Sequence, residues 1–75
     1  MIERIKVMSS NINTIGHDAD NNILEVEFVG GSVYEYSDVS EEVYDEFRLA
    51  ESVGKYFNQN IKNSFSCKRQ AKEDL

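Results

Sequence analysis

Residues 24–36, LEVEFVGGSVYEY, constrain the fold more than any other stretch of this chain. They read as two alternating strands joined at Gly30-Gly31, with Leu24, Val26 and Phe28 apolar on one strand and Tyr34 and Tyr36 aromatic on the other. Alternation with a period of two puts one face of such a ribbon against a core. A lone hairpin is not stable in water, so the flanking segments have to cover that face.

The register of the hairpin decides what the tyrosines do. A two-residue loop at Gly30-Gly31 pairs Val29 with Ser32, placing Tyr34 opposite Glu27 and Tyr36 opposite Glu25 on an acidic outer face. A three-residue loop, Gly30-Gly31-Ser32, pairs Phe28 with Tyr34 and Val26 with Tyr36 on the apolar face. A slip of one residue exchanges the faces, so the two readings exclude each other. Aromatic cross-strand pairs and the burial of two rings favour the three-residue register, or an equivalent glycine bulge, with the hydroxyls at the rim.

Seventy-five residues make one small domain with a modest core. Hydrophobic residues at 40% and charged ones at 29% fit a globular chain rather than a disordered one. Cys67 is the single cysteine, so no internal disulfide forms. With no apolar run of signal-peptide or membrane-span length, the chain reads as cytoplasmic and without a membrane partner. The net charge of −6 opposes tight non-specific binding to nucleic acid. That charge is uneven. Residues 1–54 carry three basic side chains against twelve acidic ones, a balance of −9, whereas residues 55–75 carry five against two, or +3.

Residues 5–17 are expected to form a first strand, kinked near Ser9-Ser10 because serine and asparagine compete for backbone hydrogen bonds. Residues 18–22 form a turn cluster, and the central hairpin completes a three-stranded antiparallel meander. Ser40 caps a helix whose first turn holds Glu41 and Glu42. Val43, Phe47 and Ala50 give it an apolar face, and Gly54 closes it or separates it from the next helix. A second short helix, about residues 55–63, turns Tyr56, Phe57 and Ile61 to the core. The expected class is α+β, in the order β-β-β-α-α, with Val26, Phe28, Val43, Phe47, Phe57 and Ile61 as core. Residues 1–66 form the domain and residues 67–75 a frayed polar tail.

The chain resembles the KTSC domain, a short module named after the C-terminus of some lysyl-tRNA synthetases and also found as stand-alone bacterial and phage proteins. The likeness rests on Ser9-Ser10-Asn11-Ile12, Ile15-Gly16, residues 24–28, the Tyr34-Glu35-Tyr36 triplet that looks like the family's YxY hallmark, and Gly54-Lys55-Tyr56-Phe57-Asn58. It spans about residues 7–69. His17 departs from the pattern, which has an aromatic residue, usually tyrosine, after Ile-Gly. The resemblance implies RNA or tRNA as a partner only through the family's attachment to a synthetase.

Candidate chemistry is sparse. Tyr34 and Tyr36 are either a platform on which unpaired bases stack or core residues with their hydroxyls at the surface. Lys55, Tyr56, Lys62, Lys68 and Arg69 interleave basic and aromatic groups, the best nucleic-acid signal in the chain; an ordinary solvated helix face explains them as well. His17 beside Asp18 invites an acid–base reading, against that of a simple surface or core filler. Cys67 sits in a basic stretch but has no histidine near it in sequence. Glu25, Glu27 and Glu35 share a sheet face in one register, which would attract a cation or a basic partner. No spacing specifies a metal, a cofactor or a phosphate loop. Two functions follow as expectations: a non-enzymatic RNA-binding module, or a protein-interaction module or homodimer with no nucleic-acid role. Open tyrosines favour the first, and buried ones remove its platform.

Overall fold

The computed structural model describes residues 2–70. Five strands form one antiparallel sheet in sequential order: β1 (Arg4–Lys6), β2 (Ile12–Asp18), β3 (Ile23–Phe28), β4 (Val33–Tyr36) and β5 (Cys67–Arg69). Between β4 and β5 lie α1 (Glu41–Arg48), α2 (Val53–Tyr56) and a π-helical turn (Phe57–Ile61) that continues α2. The α+β class holds, but the sheet has two more strands than the three-stranded expectation. Both additions are short edge strands.

The first correction lies at Ser9. Its hydroxyl accepts from the backbone N–H groups of Asn11, at 3.2 Å, and Ile12, at 3.3 Å. A serine held in this way turns the chain. The expected kink is therefore a full reversal, and one strand becomes the antiparallel pair β1–β2. Ile12, which is buried, pairs with Phe28, and a bulge between Ile12 and Thr14 then shifts the register so that Thr14 pairs with Glu27.

The hairpin register keeps the favoured face but not the favoured pairs. The Phe28 N–H donates to the Ser32 carbonyl and the Phe28 carbonyl accepts from the Gly31 N–H, so the three-residue loop is Val29-Gly30-Gly31. Tyr34 therefore faces Val26, and Tyr36 faces Leu24. Gly30 and Gly31 stand at φ of 110° and 100°, a conformation that residues with a Cβ rarely adopt, and this fixes where the chain turns.

The expected frayed tail is also corrected in part. Cys67–Arg69 pair with β4, and the backbone bonds from Ser37 to Ser66 and from Gln70 to Val33 hold both ends. The remaining tail, 71–75, lies outside the described residues.

Ser40 caps α1, its hydroxyl accepting from Val43 N–H at 3.3 Å, with Glu41 and Glu42 in the first turn. Gly54 does not close this helix. It lies inside α2, which Ser52 caps. The helical segment covers the inner face of the sheet. Val26, Phe47, Phe57 and Ile61 are buried, while Phe28 and Val43 are half-buried at the margin of the cluster. Ile12, Ile15, Leu24, Tyr36, Val39 and Val53 complete the core. Among the described residues, no helix is long and apolar enough to cross a membrane.

Candidate functional site

An open groove of about 620 Å³ lies where the inner face of the sheet meets the π-helical turn. The sheet side contributes Phe28, Tyr34, Tyr36 and Cys67; the helical side contributes Phe57, Asn58, Lys62 and Asn63. Asn11 and Ile12, just after the serine turn, also line it.

The floor is an aromatic cluster packed edge to face. Phe28 meets Tyr34 at 5.7 Å and Phe57 at 5.4 Å between ring centres, and Tyr36 meets Phe57 at 5.7 Å. Perpendicular rings set positive edges against negative faces, so the cluster fixes its own geometry. Tyr36 is only 4% exposed. Burial pushes its hydroxyl up to about 12, helped by its interaction and hydrogen bond with Cys67. Tyr34 is half-buried and presents the remainder of its ring to the groove.

The other expected site residues are dispersed. Tyr56 stacks on Phe47 at 5.7 Å, and its hydroxyl donates to Glu46 at 2.9 Å; burial and that carboxylate raise its pKa. Lys62 lines the groove, whereas Lys55 lies on a neighbouring depression. Arg69 donates from Nη2 to the Ser32 hydroxyl at 3.2 Å, which places it beside the groove. Lys68 pairs across the ladder with Glu35, on the opposite face of the sheet from Tyr34 and Tyr36. The basic–aromatic run is therefore split between both sides of the molecule.

His17 has a structural role. Its Nε2 lies 2.6 Å from the Val39 carbonyl oxygen, to which it donates, and its ring stacks on Tyr44 at 5.1 Å. Asp18 turns away into its own loop, accepting from Asn21 at 2.9 Å and from the Asp20 backbone at 3.0 Å; the Asn21 bond leads the lowering of its pKa.

Glu25, Glu27 and Glu35 do share the outer face, but each is engaged. Glu25 is buried and meets Arg4 at 3.6 Å, while the Gln70 amide donates to Glu25 at 3.0 Å and to Glu35 at 2.9 Å. Glu27 accepts from Thr14 at 2.8 Å and from Asn13 at 3.2 Å. Among the described residues, no group of three or more His, Cys, Asp or Glu side chains is placed to hold a metal ion.

Sequence reasoning did not single out Asn11, Asn58 and Asn63 as site residues. Asn58 and Lys62 stand four positions apart, a spacing that puts two polar side chains on one helical face, and this was the available signal.

The sequence model of the KTSC domain matches residues 8–65. An uncharacterised protein of Stutzerimonas stutzeri is 39% identical over 61 residues, covering 81% of this chain and 86% of its own. A protein of Tsukamurella paurometabola is 41% identical over 59 residues, covering 79% and 88%. The crystal structure of a KTSC domain protein from Yersinia pestis superposes with a TM-score of 0.89 at 38% identity, over 95% of this chain and all of that one. The groove draws together Asn11, Tyr34, Tyr36, Gly54 and Asn58 from three separate motifs of the resemblance, and the chain belongs to the KTSC domain family.

Proposed function

We propose that this protein is a small, non-enzymatic binding module of the cytoplasm, and that its ligand is an extended segment of another protein lying in the aromatic groove. One observation carries the reading. Tyr34 and Tyr36 face inward, with Tyr36 buried, so the sheet offers no open aromatic platform for bases. What it offers is an apolar floor of Phe28, Tyr34 and Phe57 edged by the amides of Asn11, Asn58 and Asn63. Such a floor suits an apolar side chain, and an asparagine amide both donates to and accepts from a peptide backbone.

A second reading, single-stranded RNA or tRNA, is supported by Lys62, which lines the groove with Tyr34, and by Arg69, which pairs with Tyr34 across the ladder. The net charge of −6 weighs against it, because a nucleic acid needs many lysine and arginine contacts along its backbone and the chain has only eight such residues against fourteen acidic ones. Fluorescence anisotropy separates the two. Labelled single-stranded RNA and tRNA at physiological salt should bind no tighter than roughly 100 µM, the weak end of non-specific association. Tight RNA binding that disappears when Lys62 and Arg69 are replaced by glutamine would make nucleic acid the ligand.

A further inference from the structure

A second depression of about 480 Å³ adjoins the groove. The two share Asn11, Gly54 and Asn58, so they form one continuous trough. Lys62 lies in the first half and Lys55 in the second. The chain carries fourteen acidic residues, yet no carboxylate lines either half. A lysine is the charged lining residue in each half.

Gly54 sits at the joint. A Cβ there would come within 3.2 Å of Ser9 Oγ, and that hydroxyl is held in place by the Asn11 and Ile12 N–H groups. Glycine is a poor helix former, so its place inside α2 has a cause elsewhere: it lets α2 approach the serine turn and keeps the joint low.

Resting on the protein-segment reading above, we propose that the trough takes an extended acidic peptide that crosses Gly54, with one carboxylate on Lys62, a second on Lys55, and an apolar side chain on the aromatic floor. Lys55 and Lys62 are seven positions apart along a helical path, which is roughly 10 Å. An extended chain covers that in about three residues. Because alternate side chains of an extended chain share a face, the segment carries acidic residues two or four positions apart and an apolar residue two positions from the one that meets Lys62. Its backbone passes Asn11 and Asn58, whose amides lie at the joint.

The test is selection from a displayed octapeptide library, followed by affinity measurements on the selected peptide and on a copy lacking the acidic residue assigned to Lys55. The selected sequences should hold such an acidic pair. Lys55→Glu should weaken the full peptide by roughly fivefold, as when an exposed ion pair becomes a repulsion, and leave the shortened-charge copy unchanged. Gly54→Ala should weaken both. Binders without acidic pairs, or full-peptide affinity indifferent to Lys55→Glu, overturn the acidic-peptide assignment while the protein-segment reading stands. A folded protein that selects no peptide at all overturns both, as does displacement of the selected peptide by single-stranded RNA at lower concentration.

Discussion

On the inner face of the sheet, Ile15, Leu24, Val26 and Tyr36 are buried against Phe47, Phe57 and Ile61, and the cover stops short to leave the aromatic groove. On the outer face stand Glu25, which is buried, and Glu27 and Glu35, which are half-buried, and every one of them accepts a hydrogen bond from a neighbouring element. Glu25, on the central strand, reaches Arg4 of β1 in one direction and Gln70, just beyond β5, in the other. Those two strands have no buried residues of their own. The outer carboxylates thus hold down edge strands that the core cannot. The acidic face looks like a site in the sequence but braces the fold, and the inner face looks like core but leaves an open groove.

The strongest way to break this division is to empty the inner core. Phe47→Ala should cost about 3–5 kcal/mol, enough to unfold so small a domain, as a urea or thermal melt will show. A loss under about 1 kcal/mol would mean that α1 does not anchor the helical cover.

Alkaline titration probes the same face more gently. Tyr36 has its hydroxyl pKa raised from 10 to about 12 in the fold, so between those values the folded state holds a proton that the unfolded chain has released. Stability is then full below about pH 10 and is lost as pH rises towards 12, by up to roughly 2–3 kcal/mol from this group. Tyr36→Phe should remove its share of that loss. Tyr44 and Tyr56, whose values burial also raises, keep a remainder.

The outer face should respond locally. Glu25→Ala removes the acceptor shared by Arg4 and Gln70, and should cost about 1–2 kcal/mol. Hydrogen exchange should show β1 and β5 losing protection while β2–β4 keep theirs. Uniform loss would mean that Glu25 supports the core rather than the edges. Smallest is the cap: Ser40→Ala should lose about 1 kcal/mol or slightly less, with the sheet unaffected.

How much of this was legible in the sequence follows from what each element is made of. The facing of Tyr34 and Tyr36 was readable because alternation fixes a face. The pairs were not, because three-residue loops ending at Gly31 or at Ser32 keep the same parity. The Ser40 cap and the helix face around Phe47 were readable from local chemistry. β1 and β5 were hidden because all six of their residues are exposed and their pairing is made by backbone groups and by the outer carboxylates. The groove was the least legible feature. Its walls come from the serine turn, the central hairpin, the π-helical turn and β5, and no local pattern states that these four segments meet.

The division between the faces is tested most directly by amide chemical-shift mapping of the full chain, titrated with the library-selected peptide. The account predicts shifts at Asn11, Tyr34, Gly54, Asn58 and Lys62, with Glu25, Glu27 and Glu35 unmoved. Shifts centred on those glutamates and on β1 would contradict it, and would make the outer face the binding surface.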